Sequence, residues 1–276
     1  MASQLKDLSK LCLHTMTTRP WNIEECIRNY AAAGIPAITI WRNVIEKKNL
    51  KEIRKQLEES NLEVVSLCRG GFFPSVNREK RQIAVDDNLL AIEQASALGA
   101  PLIVLVCGAD GEQSLFKSRE QIIQGILRVI PDAEREGIKL AIEPLHPMYA
   151  GDRSAVNTIR QANEMAEIIN SPVVGVAVDV YHLWWDPDLE SEINRCAANH
   201  HLFAFHVCDW KVPTLDFLND RGLMGEGCID IPRIRSWIEN TGFNGYNEVE
   251  IFSDIYWKTD QSAYLEKIKQ SYLTKT

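Results

Sequence analysis

The chain has 276 residues, 45% of them hydrophobic and 25% charged, and carries a formal net charge of −8. That length and apolar content suffice for one large core, and (β/α) barrels of about 250 residues form one domain. Acidic and basic residues are interspersed, so no basic stripe exists to displace counterions from a phosphate backbone, and nucleic acid is excluded as an expected partner.

In chain order, a predicted strand at Lys10–His14 is followed by helical periodicity over Asn22–Ala33, and a strand at Ala37–Trp41 by a helix at Leu50–Glu59. Strand Val64–Cys68 precedes helix Arg78–Leu98, strand Leu102–Cys107 precedes helix Glu120–Glu136, and strand Lys139–Glu143 precedes helix Ala155–Ile169. Strands Val174–Asp179 and Phe203–Val207 come next, then helix Pro232–Glu239, strand Asn247–Phe252 and helix Ser262–Tyr272. The strands are short and apolar on both faces, as parallel strands covered on both sides must be. Gly34, Gly99, Gly137 and Gly242 stand where helices stop before the next strand, the place for a left-handed residue. Eight strand–helix units predict a single (β/α)8 TIM barrel spanning residues 1–276 as one domain, because no Pro/Ser-rich linker or low-complexity tract interrupts the series. The competing doubly wound sheet lacks its glycine-rich turn after the first strand.

The seven cysteines are odd in number and scattered singly, with no CxxC pair, which suggests buried thiols in a reducing compartment. No signal-peptide pattern is seen at the N-terminus, and no apolar run approaches the roughly 20 residues that span a bilayer. A cytoplasmic protein without membrane contact is expected.

A barrel of this kind takes its reacting groups from the carboxyl ends of its strands. Four predicted strands in the second half carry Glu143, Asp179, His206 and Glu250 at or near those ends. Three carboxylates and one imidazole suit a divalent cation, with Mn²⁺ the first choice and Mg²⁺, Co²⁺ or Zn²⁺ the alternatives. Each residue also has a plainer reading. Glu143 could pair with a neighbouring Arg, Asp179 could cap the following segment, His206 could be a satisfied core histidine, and Glu250 could pair with Lys211 or Arg221. One shared cause explains all four better than four coincidences, because charged groups are rarely buried without a partner or a metal.

These residues lie in the stretches AIEPLHP, VDVYHLWWDP, FHVCDW, DRGLMGEGCID and GYNEVEIF, and through them the latter half of the chain resembles the xylose-isomerase-like barrel superfamily. The similarity is to the branch that holds ketose 3-epimerases, inosose dehydratases and sugar phosphate isomerase/epimerase-type proteins; in the first half only LCLHT and ITIW carry it. The resemblance implies one divalent cation on the four residues, with Glu143 and Glu250 as the proton-transfer pair and Asp179 and His206 as ligands only. It places His182 and Arg221 on substrate oxygens, and His146, Trp41, Glu226, Asp209 and His14 are added as substrate contacts. Trp184, Trp185 and Trp210 also follow strands and could cover a sugar ring or pack the rim. Two departures stand out: the loop DWKVPTLDFLND is longer than in the epimerases, and His146 in LHPMYAG replaces an extra glutamate.

The implied activity is a metal-dependent isomerase or epimerase of a keto-sugar or keto-cyclitol, working through an enediolate in an expected homo-oligomer, dimer or tetramer. A lyase with the same residues, acting on an inosose or a keto-glycoside, is the alternative. A non-catalytic sugar-binding subunit ranks below these. So does a DNA-repair endonuclease, which needs further histidines, whereas the chain has six in all.

Overall fold

The computed structural model describes residues 4–276. Its strands are β1 (Leu11–His14), β2 (Ala37–Trp41), β3 (Glu63–Gly71), β4 (Leu102–Val106), β5 (Lys139–Glu143), β6 (Val174–Asp179), β7 (Leu202–Val207), β8 (Asp209–Trp210), β9 (Arg221–Gly222) and β10 (Asn247–Val249). The helices are α1 (Ile23–Ala32), α2 (Leu50–Glu59), α3 (Arg78–Leu98), α4 (Leu115–Glu136), α5 (Ile159–Ile169), α6 (Val180–Leu183), α7 (Leu189–Ala198), α8 (Ile231–Asn240) and α9 (Gln261–Lys275). The barrel strands close in the order β1-β10-β7-β6-β5-β4-β3-β2, while β8 and β9 form a separate antiparallel pair. This is the (β/α)8 TIM barrel that the alternation of apolar runs and amphipathic segments predicts. No helix among the described residues is long and apolar enough to cross a membrane. The cysteines are free and six are buried, with Cys228 exposed.

The chain divides into two compact units, Met1–Val65 with Phe205–Thr276, and Ser66–Ala204. In the first, β1 pairs with β10 through Leu11↔Asn247, Cys12↔Glu248 and Leu13↔Val249, and with β2 through Cys12↔Ala37 and His14↔Thr39. The predicted strand Asn247–Phe252 stops at Val249, because the Thr17 hydroxyl takes over the backbone there: it donates to Val249 O (3.1 Å) and accepts from Ile251 N (3.0 Å). Helix α1 opens with a reciprocal cap in which Asn22 Oδ1 accepts from Glu25 N and Glu25 Oε2 accepts from Asn22 N, both at 2.9 Å.

In the second unit, β4, β5 and β6 lie in register, with Val106 opposite Glu143 and Ile142 opposite Val176. Asn77 and Ser114 cap α3 and α4, and Gly99 and Gly137 end them in the left-handed conformation at φ 75° and 68°. Strand β3 runs past its predicted end at Cys68 to Gly71, with an irregularity between Cys68 and Gly70. Asn88 of α3 fixes that bend: its Oδ1 accepts from Gly71 N (2.7 Å) and its Nδ2 donates to Gly71 O (2.8 Å). The stretch between β6 and β7, for which periodicity gave no helix bounds, holds α6 and α7.

Candidate functional site

In the unit containing β1 and β10, a buried cluster of charged side chains sits at the carboxyl ends of the strands. Side chains alternate along a strand, so Glu248 and Glu250 leave the chain on one face and Val249 on the other. Glu250 Oε2 accepts from Arg221 Nη1 at 2.8 Å, and its Oε1 lies 3.0 Å from His14 Nδ1. The ion pair with Arg221, anticipated as the plainer reading of Glu250, is therefore present. Glu248 Oε2 accepts from the Thr39 hydroxyl at 2.6 Å and lies 3.3 Å from His14 Nε2 and 3.8 Å from His206 Nε2. All of these side chains are buried. One ligand atom each from His14, His206 and Glu248 falls within 4.8 Å of the other two.

Electrostatics follow from this packing. Burial alone would drive the His14 imidazole toward its neutral form, but Glu250 and Glu248 on either side outweigh it, and its pKa is pushed up to about 9. Burial likewise opposes ionisation of Glu250, yet His14 and Arg221 hold its carboxyl well below the ordinary glutamate value. Glu248 is lowered in the same sense, against its burial, by His206 and His14. Trp41 Nε1 donates toward His14 Nδ1 at 3.2 Å, so the indole contacts the imidazole from the side. The charged imidazole uses both nitrogens on carboxylates; the neutral form with its proton on Nε2 accepts from Trp41.

In the unit spanning Ser66–Ala204, Glu143 is buried at the last position of β5, and Asp179 is fully buried at the end of β6. Asp179 is also a helix cap, as its plainer reading foresaw: Oδ1 accepts from Tyr181 N at 2.8 Å, opening α6. Its Oδ2 lies 3.6 Å from His182 Nε2, and the His182 ring meets Tyr149 and Tyr181 edge-on. His146 is half-buried, with its pKa lowered by that burial; it accepts from Met148 N through Nδ1 (3.2 Å) and meets Trp185 edge-on. Trp185 Nε1 donates to His182 O at 2.8 Å.

Among the expected substrate contacts, Asp209 turns out to organise a loop. It is fully buried, and its carboxylate accepts from the backbone N–H groups of Trp210 (2.8 Å), Gly225 (2.9 Å), Gly227 (2.9 Å) and Ile229 (3.0 Å). Glu226 is exposed and turned onto its own surroundings, accepting from Leu223 N (2.9 Å) and the Tyr256 hydroxyl (2.5 Å). Lys211, the other partner foreseen for Glu250, pairs with Asp220 instead at 2.6 Å. That pair clamps the base of the lengthened loop, whose Val212, Leu215 and Phe217 face solvent. Arg221 is buried, not solvated, with its guanidinium over the Phe252 ring at 4.8 Å. Phe252 in turn meets Trp41 and Trp257 edge-on. Glu248, Thr39 and Phe252 were not singled out from sequence, although the alternation in NEVEIF does put two glutamates on one face.

A family model described as xylose isomerase-like TIM barrel matches residues 27–272. The chain is similar to an inosose isomerase of Halalkalibacterium halodurans, 22% identical over 272 residues that cover 95% of this chain and 94% of that protein. Among solved structures it is similar to protein SMc04130 from Sinorhizobium meliloti, with 42% identity, a TM-score of 0.93, and coverage of 96% of this chain and 98% of the other. It also superposes on the IOLI protein with a bound zinc atom, at 21% identity and a TM-score of 0.83, covering 95% and 96% of the two chains; that likeness speaks to the fold.

Proposed function

The chain belongs to the xylose isomerase-like TIM barrel family, and from that premise we propose that it is a divalent-cation-dependent isomerase or epimerase of a keto-sugar or keto-cyclitol. One observation carries the reading: Glu143, Asp179, His206 and Glu250 are all buried at or beside the carboxyl ends of β5, β6, β7 and β10, consecutive strands of the closed barrel. Arg221 and His14 offset the charge of Glu250, and a divalent ion would offset that of the other buried carboxylates. Oxygen-rich ligation with a single nitrogen fits a hard or borderline divalent ion, Mn²⁺ foremost with Mg²⁺, Co²⁺ or Zn²⁺ as alternatives. The inosose isomerase name carried by a relative supports the same substrate class.

When bound, such a cation would supply positive charge to the oxygens of a hydroxyketone and stabilise the enediolate that proton removal creates. The protein's own groups do the rest. Glu250, kept anionic by Arg221 and His14, is the group we assign to accept the proton on the carbon beside the ketone. Glu143 is the second carboxyl of the pair: it takes a proton from solvent and delivers it to the opposite face, while Glu250 releases to solvent the proton it removed. Asp179 and His206 hold the ion. In this reading Arg221 acts through Glu250, its Nη1 being committed there.

The test is proton NMR in D₂O with Mn²⁺-loaded protein and a panel of inososes and ketoses. Deuterium should appear at the carbon beside the ketone, vanish on chelation, and slow by about 10²–10⁴-fold in Glu250→Gln, the range for removing a general base. Exchange that persists at full rate in chelated protein would end the proposal. A new enone, or loss of a leaving group, would make the enzyme a lyase.

A further inference from the structure

We propose that Glu248 and His14 are positioning residues: they tie His206 and Glu250 into one buried chain of charge contacts and so fix the direction in which both present themselves to the cation. This rests on the cation reading above and goes beyond it, because neither residue is among the ligands.

The strand registers create the chain. Glu248 lies opposite His206 across β10 and β7 and opposite Cys12 across β10 and β1, and His14 lies opposite Thr39 across β1 and β2. Paired positions in parallel strands point to the same side, so these side chains meet on one face. From Glu250 Oε1 the contacts run to His14 Nδ1 (3.0 Å), from His14 Nε2 to Glu248 Oε2 (3.3 Å), and from that oxygen to His206 Nε2 (3.8 Å). The Thr39 hydroxyl fixes the shared oxygen at 2.6 Å.

Burial gives the chain its force. Glu248 is 1% exposed and His14 0%, so the carboxylate depends on these partners in place of water. The consequence for His206 is a choice of nitrogen. With Nε2 facing a buried carboxylate at 3.8 Å, the ring is oriented to turn Nδ1 toward the ion, as an outer carboxylate orients a metal-binding histidine. His14 does the same for Glu250 from the opposite end. The rival reading is that His14, His206 and Glu248 themselves hold an ion, since their ligand atoms also cluster.

Titration of the full chain with Co²⁺ alone, followed by visible absorption, separates these readings. Wild type should take up one equivalent. Glu248→Gln, which keeps the shape and removes the charge, should bind Co²⁺ about 10–100-fold more weakly, the usual loss for an outer-shell partner, and shift the Co²⁺ absorption band. Glu192→Gln removes another buried carboxylate, one on α7 held by Asn163 of α5 and Arg195 of α7, and should leave both readouts unchanged. Unaltered affinity and band in Glu248→Gln would overturn the inference. So would two equivalents in wild type with one lost in Glu248→Gln, since Glu248 would then be a ligand. If wild type takes up no Co²⁺, the cation reading fails first and this inference goes with it. Should Glu248→Gln not fold, Thr39→Val is read in its place, with a severalfold loss of affinity expected and no change overturning the inference.

Discussion

At the scale of single residues, Asp209 shows how one carboxylate can replace a whole element. The residues from Leu223 to Ile229 have no strand or helix of their own, and Asp209 supplies the acceptors for three of their backbone N–H groups as well as for Trp210 N. Each buried amide left without an acceptor costs about 1–3 kcal/mol. Asp209→Ala should therefore lower the thermal midpoint and open this loop to limited proteolysis, while Asp209→Asn, which keeps one acceptor oxygen, should lose less. An unchanged digestion pattern in Asp209→Ala would show that the loop holds itself. None of this was legible in the sequence, where the aspartate follows His206 closely and reads as a substrate contact; its partners lie 16 to 20 positions downstream. The four ligand candidates were picked out because each is a metal-binding side chain at or near the end of an apolar run. Glu248 was hidden by standing inside such a run, two residues before the one that was read.

At the scale of elements, close packing decides what each segment tolerates. Helix α4 turns Gly125 onto Phe73, and a Cβ added there would come within 2.3 Å of the ring carbon Cδ1. On propensity alone, Gly125→Ala should stabilise a helix interior by about 1 kcal/mol. Forcing a methyl group into a packed contact costs about 1–3 kcal/mol, so the net effect should be a lower denaturant midpoint. A rise in that midpoint would mean that Phe73 moves aside freely. Asn88→Ala in α3 should be worse. It strips both the donor and the acceptor from the buried Gly71 backbone, at about 1–3 kcal/mol for each group left unsatisfied. Strand β2 and helices α2 and α3 have the bounds that periodicity and their capping residues predict, and β5 and β6 do as well. Helix α4 begins five residues before its predicted start, after the Ser114 cap, and α5 four residues after its own, behind Thr158, while two strand ends depend on distant side chains. Strand β3 is extended to a bend held by Asn88, and β10 is cut short where Thr17 captures its backbone. Helices α6 and α7 escaped because the tryptophans and aspartates of LWWDPD break the apolar period between them.

At the scale of the whole molecule, the acidic surplus and the buried carboxylates act in the same direction. A chain at −8 gains from any cation it holds, and it gains most where the carboxylates are out of water. An ion that binds only the folded state, at a hundred times its dissociation constant, contributes about 2.7 kcal/mol. For a chain of this size that corresponds to a rise of roughly 5 °C in the thermal midpoint. Calorimetry of chelated and Mn²⁺-loaded protein should show that difference. The double variant Glu143→Gln with Glu250→Gln supplies the sharper comparison. Neutralising Glu250 takes away the buried carboxylate that Arg221 and His14 pair with, so the variant's midpoint should fall below that of chelated wild type. Its response to Mn²⁺ should disappear, because neutral amides are poor ligands for the ion. If the double variant still gained the full increment from Mn²⁺, the ion would be bound elsewhere, and the four residues at the strand ends would not be its ligands.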